Sequence, residues 1–137
     1  MNNQIKKFTA IGFMVVFGFA LLSFVIAQQP GKPWEIPAKY KNMKNPSPGE
    51  NIDIGKQLYM KHCRSCHGNK GLGDGPKAKT LKTSCGDFSS AKFQGQTDGE
   101  IYYQSIIGRD EMPNYEKKIL EEEDRWAVVN YIRTMKK

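Results

Sequence analysis

Two residue types with metal and thioether chemistry meet in Cys63-Arg64-Ser65-Cys66-His67. Thiols separated by two residues reach the two vinyl groups of one porphyrin from a single turn of chain. The histidine that follows at once falls beneath the iron, where its imidazole serves as proximal ligand. The spacing therefore points to one covalently attached haem c, which carries the redox chemistry while the polypeptide orients and tunes it. Rival chemistries fit less well. A structural zinc site needs a second ligand pair, and only Cys85 and His62 remain, at no such spacing. Thioredoxin-like exchange needs a strand–helix–strand frame that the flanking sequence lacks. A disulfide between Cys63 and Cys66 leaves His67 without a role.

A haem iron with histidine on one face raises the question of the other. Methionine there gives a six-coordinate iron poised for electron transfer, whereas an open face admits small ligands or peroxide. The chain has six methionines. Met1 and Met14 belong to the leader, Met43 to a proline-rich stretch, Met60 to the helix before the motif and Met135 to the last helix. Met112 stands apart, in the polar loop Gly108-Arg109-Asp110-Glu111-Met112-Pro113. Pro113 biases it towards extended backbone, and it has no helical core to join. It is either a distal ligand or a loop methionine that fills a gap. His62 abuts Cys63 too closely to fold onto the distal face and reads as a helix-face residue. Cys85 is left unpaired; it reads as an inert buried thiol, with dimerisation or an oxidant response as the alternatives.

Several elements must position these groups. Residues 51–63 read as a helix that delivers the chain to the motif, capped by Asn51 or Asp53, with Ile54, Leu58 and His62 on one face beside Tyr59. Gly68, Gly71, Gly73 and Gly75 form a glycine-rich loop closed by Pro76. It lacks the Gly-Lys-Ser/Thr end of a phosphate cradle and reads as tight turning beside the porphyrin. Thr97-Asp98-Gly99-Glu100 is a capping box that opens a short helix through Ile106, stopped by Gly108. Residues 120–136 form the clearest helix. Its first turn holds Glu121 to Asp124 and its end holds Arg133 and Lys136, both complementing the helix dipole. Val128, Tyr131, Ile132 and Met135 share a face, flanked by Trp126 and Val129.

Lys6 and Lys7 precede an uncharged, mostly apolar run over residues 8–27, ending in Val25-Ile26-Ala27. Residues 1–27 read as a signal peptide or an N-terminal membrane anchor, since the run is long enough to cross a bilayer. Residues 28–50, with Pro30, Pro33, Pro37, Pro46 and Pro48, read as an arm or linker, in which Trp34, Ile36 and Tyr40 can pack on the body. Residues 51–137 make a single domain. The net charge is +7. Its lysines are scattered and no nucleic-acid motif accompanies them, so nucleic acid is not an expected partner. The basic surface is either simply solvated or steers docking onto an acidic redox partner.

Residues 51–137 resemble a small monohaem class I cytochrome c. The likeness rests on Gly55 and Tyr59, on Cys63, Cys66 and His67, on Met112-Pro113, and on Trp126 with Tyr131. It implies an all-α cytochrome c fold whose helices wrap a covalently attached haem, preceded here by the N-terminal hydrophobic segment. It implies Cys63 and Cys66 as thioether sites, His67 as proximal ligand and Met112 as distal ligand. It implies that the first and last helices cross closely, Gly55 meeting Tyr131. Residues 77–96 are less typical. In this family haem attachment takes place outside the cytoplasm, so a periplasmic location is expected, with membrane anchoring if the leader is kept. The expected function is electron transfer rather than catalysis. The partners would be membrane respiratory complexes or exported oxidoreductases. The alternatives are a tethered haem subunit of a larger membrane oxidoreductase, and a ligand-binding or peroxidatic haem protein.

Overall fold

The computed structural model describes residues 31–137, so the leader or anchor expected over residues 1–27 lies outside the described residues. The architecture is all-α. Helices α1 (Ala38–Lys41), α2 (Ile52–His62), α3 (Arg64–His67), α4 (Ala91–Gln94), α5 (Asp98–Tyr102) and α6 (Glu122–Arg133) follow one another without a strand among the described residues. A 3₁₀ turn lies at Ala78–Thr80, and a π-helical turn at Tyr103–Ile107 continues α5.

The two longest helices among the described residues, α2 and α6, cross as the Gly55–Tyr131 pairing requires. A Cβ added at Gly55 would lie 1.9 Å from the Ala127 carbonyl oxygen and 3.0 Å from Tyr131 Cβ. Only a residue without a side chain allows this approach. Tyr59, one turn on, is fully buried and meets the Tyr131 ring edge-on at 5.3 Å. The inward face of α2 is therefore Gly55–Tyr59–Cys63. The expected stripe of Ile54, Leu58 and His62 is offset from it, and Ile54 is exposed. The side chain of Asn51 also differs from expectation. Asn51 occupies the N-cap in the left-handed region but makes no cap bond, and its amide donates instead to Glu123 of α6 at 2.7 Å.

Helix α6 is shorter than its pattern suggests. Glu121 is extended at its start, and Leu120 is exposed. At its end the Thr134 hydroxyl donates to the Tyr131 carbonyl, competing for the last helical acceptors. Its buried face carries Trp126, Val128, Val129 and Ile132, and Trp126 packs on Tyr102 of α5 with ring centroids 4.5 Å apart. The capping box forms as expected: Glu100 N–H donates to Thr97 Oγ1, and Thr97 N–H to the Glu100 carboxylate. Gly108 ends the π turn at φ +69.

The proline-rich stretch packs on the body. Ile36 is buried, and Trp34 and Tyr40 contact Tyr103, Tyr40 also stacking on Tyr102. Asn130 of α6 is buried and clasps the segment: its amide donates to the Ser47 and Glu50 carbonyls, and its oxygen accepts from Asn45.

Candidate haem site

The Cys-x-x-Cys-His motif is built from the end of α2 and the single turn of α3. Cys63 closes α2, its N–H donating to the Tyr59 carbonyl at 2.8 Å. The Cys63 carbonyl then accepts from the N–H groups of both Cys66 and His67, at 3.1 and 3.0 Å. One turn of chain thus holds both thiols and the imidazole. The glycine-rich loop folds back onto the motif's backbone: Gly73 N–H donates to the His67 carbonyl, Gly75 N–H to that of Cys66, and Lys77 N–H to that of Ser65. A Cβ at Gly75 would fall 2.5 Å from the Ser65 carbonyl oxygen, so the loop needs glycine there to reach the motif. Gly68, Gly71 and Gly73 take positive φ, so the loop turns tightly as expected; none of the four glycines lines the cavity described next.

Cys63, Cys66, His67 and Met112 all line one cavity of about 710 Å³. Cys63 and His67 are buried, and Cys66 and Met112 are half-buried. The distal loop is shaped by its backbone. Met112 N–H donates to the Arg109 carbonyl at 2.8 Å, with Asp110 between them in the left-handed region at φ 47. The loop folds against Gly108, where a Cβ would lie 2.2 Å from the Met112 carbonyl oxygen. Tyr115, just beyond, donates its hydroxyl to the His62 carbonyl at 2.9 Å and so ties the loop's far side to the end of α2.

The cytochrome c family model matches residues 52–136. The chain belongs to the cytochrome c family. Among solved structures it is similar to the KustC0563 c-type cytochrome, 32% identical, with a TM-score of 0.52 over 61% of this chain and 98% of that one. It is also similar to a chain of the Kuenenia stuttgartiensis reducing HAO-like protein complex Kustc0457/Kustc0458, 26% identical, with a TM-score of 0.56. That likeness covers 69% of this chain and 50% of the other, so the chain spans half the length of that relative. None of the curated proteins matches. Membership brings covalently bound haem c as the cofactor, for which Cys63, Cys66 and His67 supply the motif.

The electrostatics of the cavity fit a cytochrome c. Burial pushes His67 down to about 4, outweighing the opposing pull of the neighbouring Cys85 backbone. The ring is therefore neutral at physiological pH, the form that binds a metal. Its buried Nδ1 has no hydrogen-bond partner in the polypeptide. Burial, and then Cys66, pushes the Cys63 thiol up to about 12, so in the bare polypeptide this is not a ready nucleophile towards solvent. All three cysteines are free of disulfides. Two thiols, a neutral imidazole and a thioether on one cavity wall form a donor set that suits haem c and no hard cation.

Sequence reasoning missed several cavity residues. Phe88 stacks on His67 at 4.5 Å, and Phe93 on Phe88 at 4.6 Å, making an aromatic ladder against the imidazole. Both come from the atypical stretch, where no periodicity marks them. Trp34 and Ile36 of the arm also line the cavity. His62 is half-buried on the cavity wall, its ring edge-on to Tyr115 at 5.7 Å, rather than simply on the helix face. Cys85 is half-buried there too, its thiol raised by burial first and then by Cys66 and Glu111.

Proposed function

We propose that the chain is a one-electron carrier in which Cys63 and Cys66 hold haem c by thioether bonds, His67 is the proximal ligand and Met112 the distal ligand. The carrying observation is that both ligand candidates and both thiols line the same cavity. Haem c supplies one-electron chemistry through ferrous and ferric iron. The residues around it hold that chemistry in place. Phe88 stacks on the imidazole and limits its rotation. Tyr59 donates to the Gly68 carbonyl at 2.8 Å and fixes the chain directly after His67. A thioether on the distal face raises the potential relative to a second nitrogen ligand. The family points to electron transfer.

The test combines mass and spectrum on protein matured in a host that attaches haem. Denaturing mass spectrometry should show one haem on the wild type, and the Cys63→Ser, Cys66→Ser double variant should lose it. The ferric wild type should show the weak long-wavelength band of methionine-ligated haem, and Met112→Ala should abolish it and lower the potential. A wild type without the band refutes Met112 as ligand.

An extracytoplasmic location, with residues 1–27 as signal peptide or anchor, belongs to the same proposal, because haem c is attached outside the cytoplasm in this family. The partners proposed are membrane respiratory complexes or exported oxidoreductases, met through brief, charge-assisted docking. A second reading, a tethered haem subunit of a larger oxidoreductase, gains support from the likeness to a chain of the HAO-like complex. Constant co-migration with a larger enzyme in mild detergent would favour the subunit, and migration alone the free carrier.

A further inference from the structure

We infer that Arg109 is a positioning residue for the sixth ligand: it latches the arm at Lys32–Trp34 onto the loop that carries Met112, and so holds that loop closed over the cavity. The inference rests on Met112 as the distal ligand. Arg109 lies within the residues matched to the cytochrome c family, and the arm that it grips lies before them.

Three separate contacts make the latch. The Arg109 guanidinium lies 4.0 Å from the centre of the Trp34 ring, within cation–π range. One of its terminal nitrogens donates to the Pro33 carbonyl at 2.8 Å, and the other to the Lys32 carbonyl. On its backbone side, the Arg109 carbonyl accepts from Met112 N–H. One residue therefore grips the arm with its side chain and Met112 with its main chain. The planar fork of arginine suits this double donation together with stacking, and lysine does not reproduce it.

The arm end of the latch is itself anchored. Trp34 meets Tyr103 of the π turn edge-on at 6.2 Å, and Ile36 is buried two residues on. The other flank of the same loop is tied separately. The two carboxylate oxygens of Glu111 accept from the N–H groups of Lys82 and Thr83, at 3.1 and 3.0 Å. The loop is thus a strut between two fixed points, with Met112 beside both. Asp110 sits in the left-handed region at the tip, which aspartate enters more readily than most side chain-bearing residues. Opening the loop to withdraw Met112 must break the Arg109 contacts, the Glu111 contacts, or both.

The test is displacement of the distal ligand from the ferric holoprotein by imidazole, followed in the visible spectrum. Imidazole binds only where Met112 has left, so its apparent affinity reports loop opening. Arg109→Ala should bind imidazole about tenfold more tightly than wild type, the factor that about 1.4 kcal/mol makes. Arg109→Lys and Trp34→Ala should tighten it by about threefold each, since part of the latch survives in both. All three should keep the methionine band without imidazole. An arginine that only supports the arm would lower the melting temperature and leave imidazole affinity at the wild-type value; that result overturns the inference. If Arg109→Ala fails to mature, unchanged affinity in both other variants overturns it equally. A wild type lacking the methionine band, with Met112→Ala spectrally identical, would instead remove Met112 as ligand and the inference with it.

Discussion

The crossing of α2 and α6 at Gly55 sets two opposing effects against each other in one substitution. Gly55→Ala improves helix propensity, worth about 1 kcal/mol in favour of the variant. It also places a methyl 1.9 Å from the Ala127 carbonyl oxygen and 2.5 Å from its carbonyl carbon. Both are backbone atoms of a helix, so no rotamer change relieves the clash, and α2 must move away from α6. Overpacking of this kind costs about 1–3 kcal/mol and occasionally more. With a contact this short the upper end applies, leaving a net loss of roughly 2 kcal/mol after the propensity gain. For a domain near 100 residues that lowers the melting temperature by about 10 °C. Thermal unfolding of the holoprotein followed by far-UV circular dichroism reads this directly. The exposed neighbouring variant Lys56→Ala should change stability by no more than about 0.5 kcal/mol. A Gly55→Ala protein as stable as wild type, or more so, would refute the close crossing and leave propensity as the deciding term.

Other substitutions probe the same scaffold. Tyr59→Phe removes the donor to the Gly68 carbonyl in a fully buried place and should cost about 1–3 kcal/mol by thermal unfolding. Burial first, then Cys63, holds the Tyr59 hydroxyl far above its ordinary 10.0. A raised folded value contributes stability that is complete below pH 10.0 and drains away as the pH rises past it, so Tyr59→Phe should flatten the alkaline limb of a stability–pH profile. Asn130→Ala leaves the Ser47 and Glu50 carbonyls without their donor; it should cost about 1–3 kcal/mol and make the segment before Asn51 the first site of limited proteolysis. Arg133 pairs with Asp98 at 2.7 Å and donates to the Gln94 and Gln96 carbonyls, so Arg133→Ala should cost about 2 kcal/mol in denaturant unfolding, and Arg133→Lys should recover less than half of it.

How much of this was legible depended on whether the signal was local. The haem motif and the Thr97–Glu100 capping box depend on residues within a few positions and take the expected local form, while Gly108 ends a π turn, with ψ −176, rather than the α-helix expected through Ile106. The Gly55–Tyr131 contact came from the family resemblance, because nothing local tells a glycine that permits a crossing from one that weakens a helix. The contact face of α2 is offset from its hydrophobic stripe: Leu58 packs against the core but Ile54 is exposed, and Gly55, with no hydrophobicity, marks the closest contact. The helical reading of residues 120–136 ran past both ends. Charge and apolar period persist there, but at the C-terminal end the Thr134 hydroxyl donates to the Tyr131 carbonyl and competes for the last helical acceptors. Phe88 and Phe93 were illegible because a stacking ladder in irregular chain leaves no period to read.

The arm shows where composition misleads most. Prolines and glycines suggest a spacer, and the apolar Trp34, Ile36 and Tyr40 only hint at packing. Those residues do pack on the body, and two polar ties distant in sequence add to them: Asn130 from the last helix holds the arm's C-terminal part, and Arg109 from the distal loop holds its N-terminal part. Such long-range hydrogen bonds to backbone carbonyls depend on no residue type at the accepting end, so no motif in the arm encodes them. Yet the same absence of a motif explains why a proline-rich stretch suits the place. Proline and its neighbours leave carbonyls unclaimed by helix bonding, and Pro33 and Lys32 offer theirs to Arg109 for that reason. A helical segment there would have spent those acceptors internally and offered Arg109 nothing to grip.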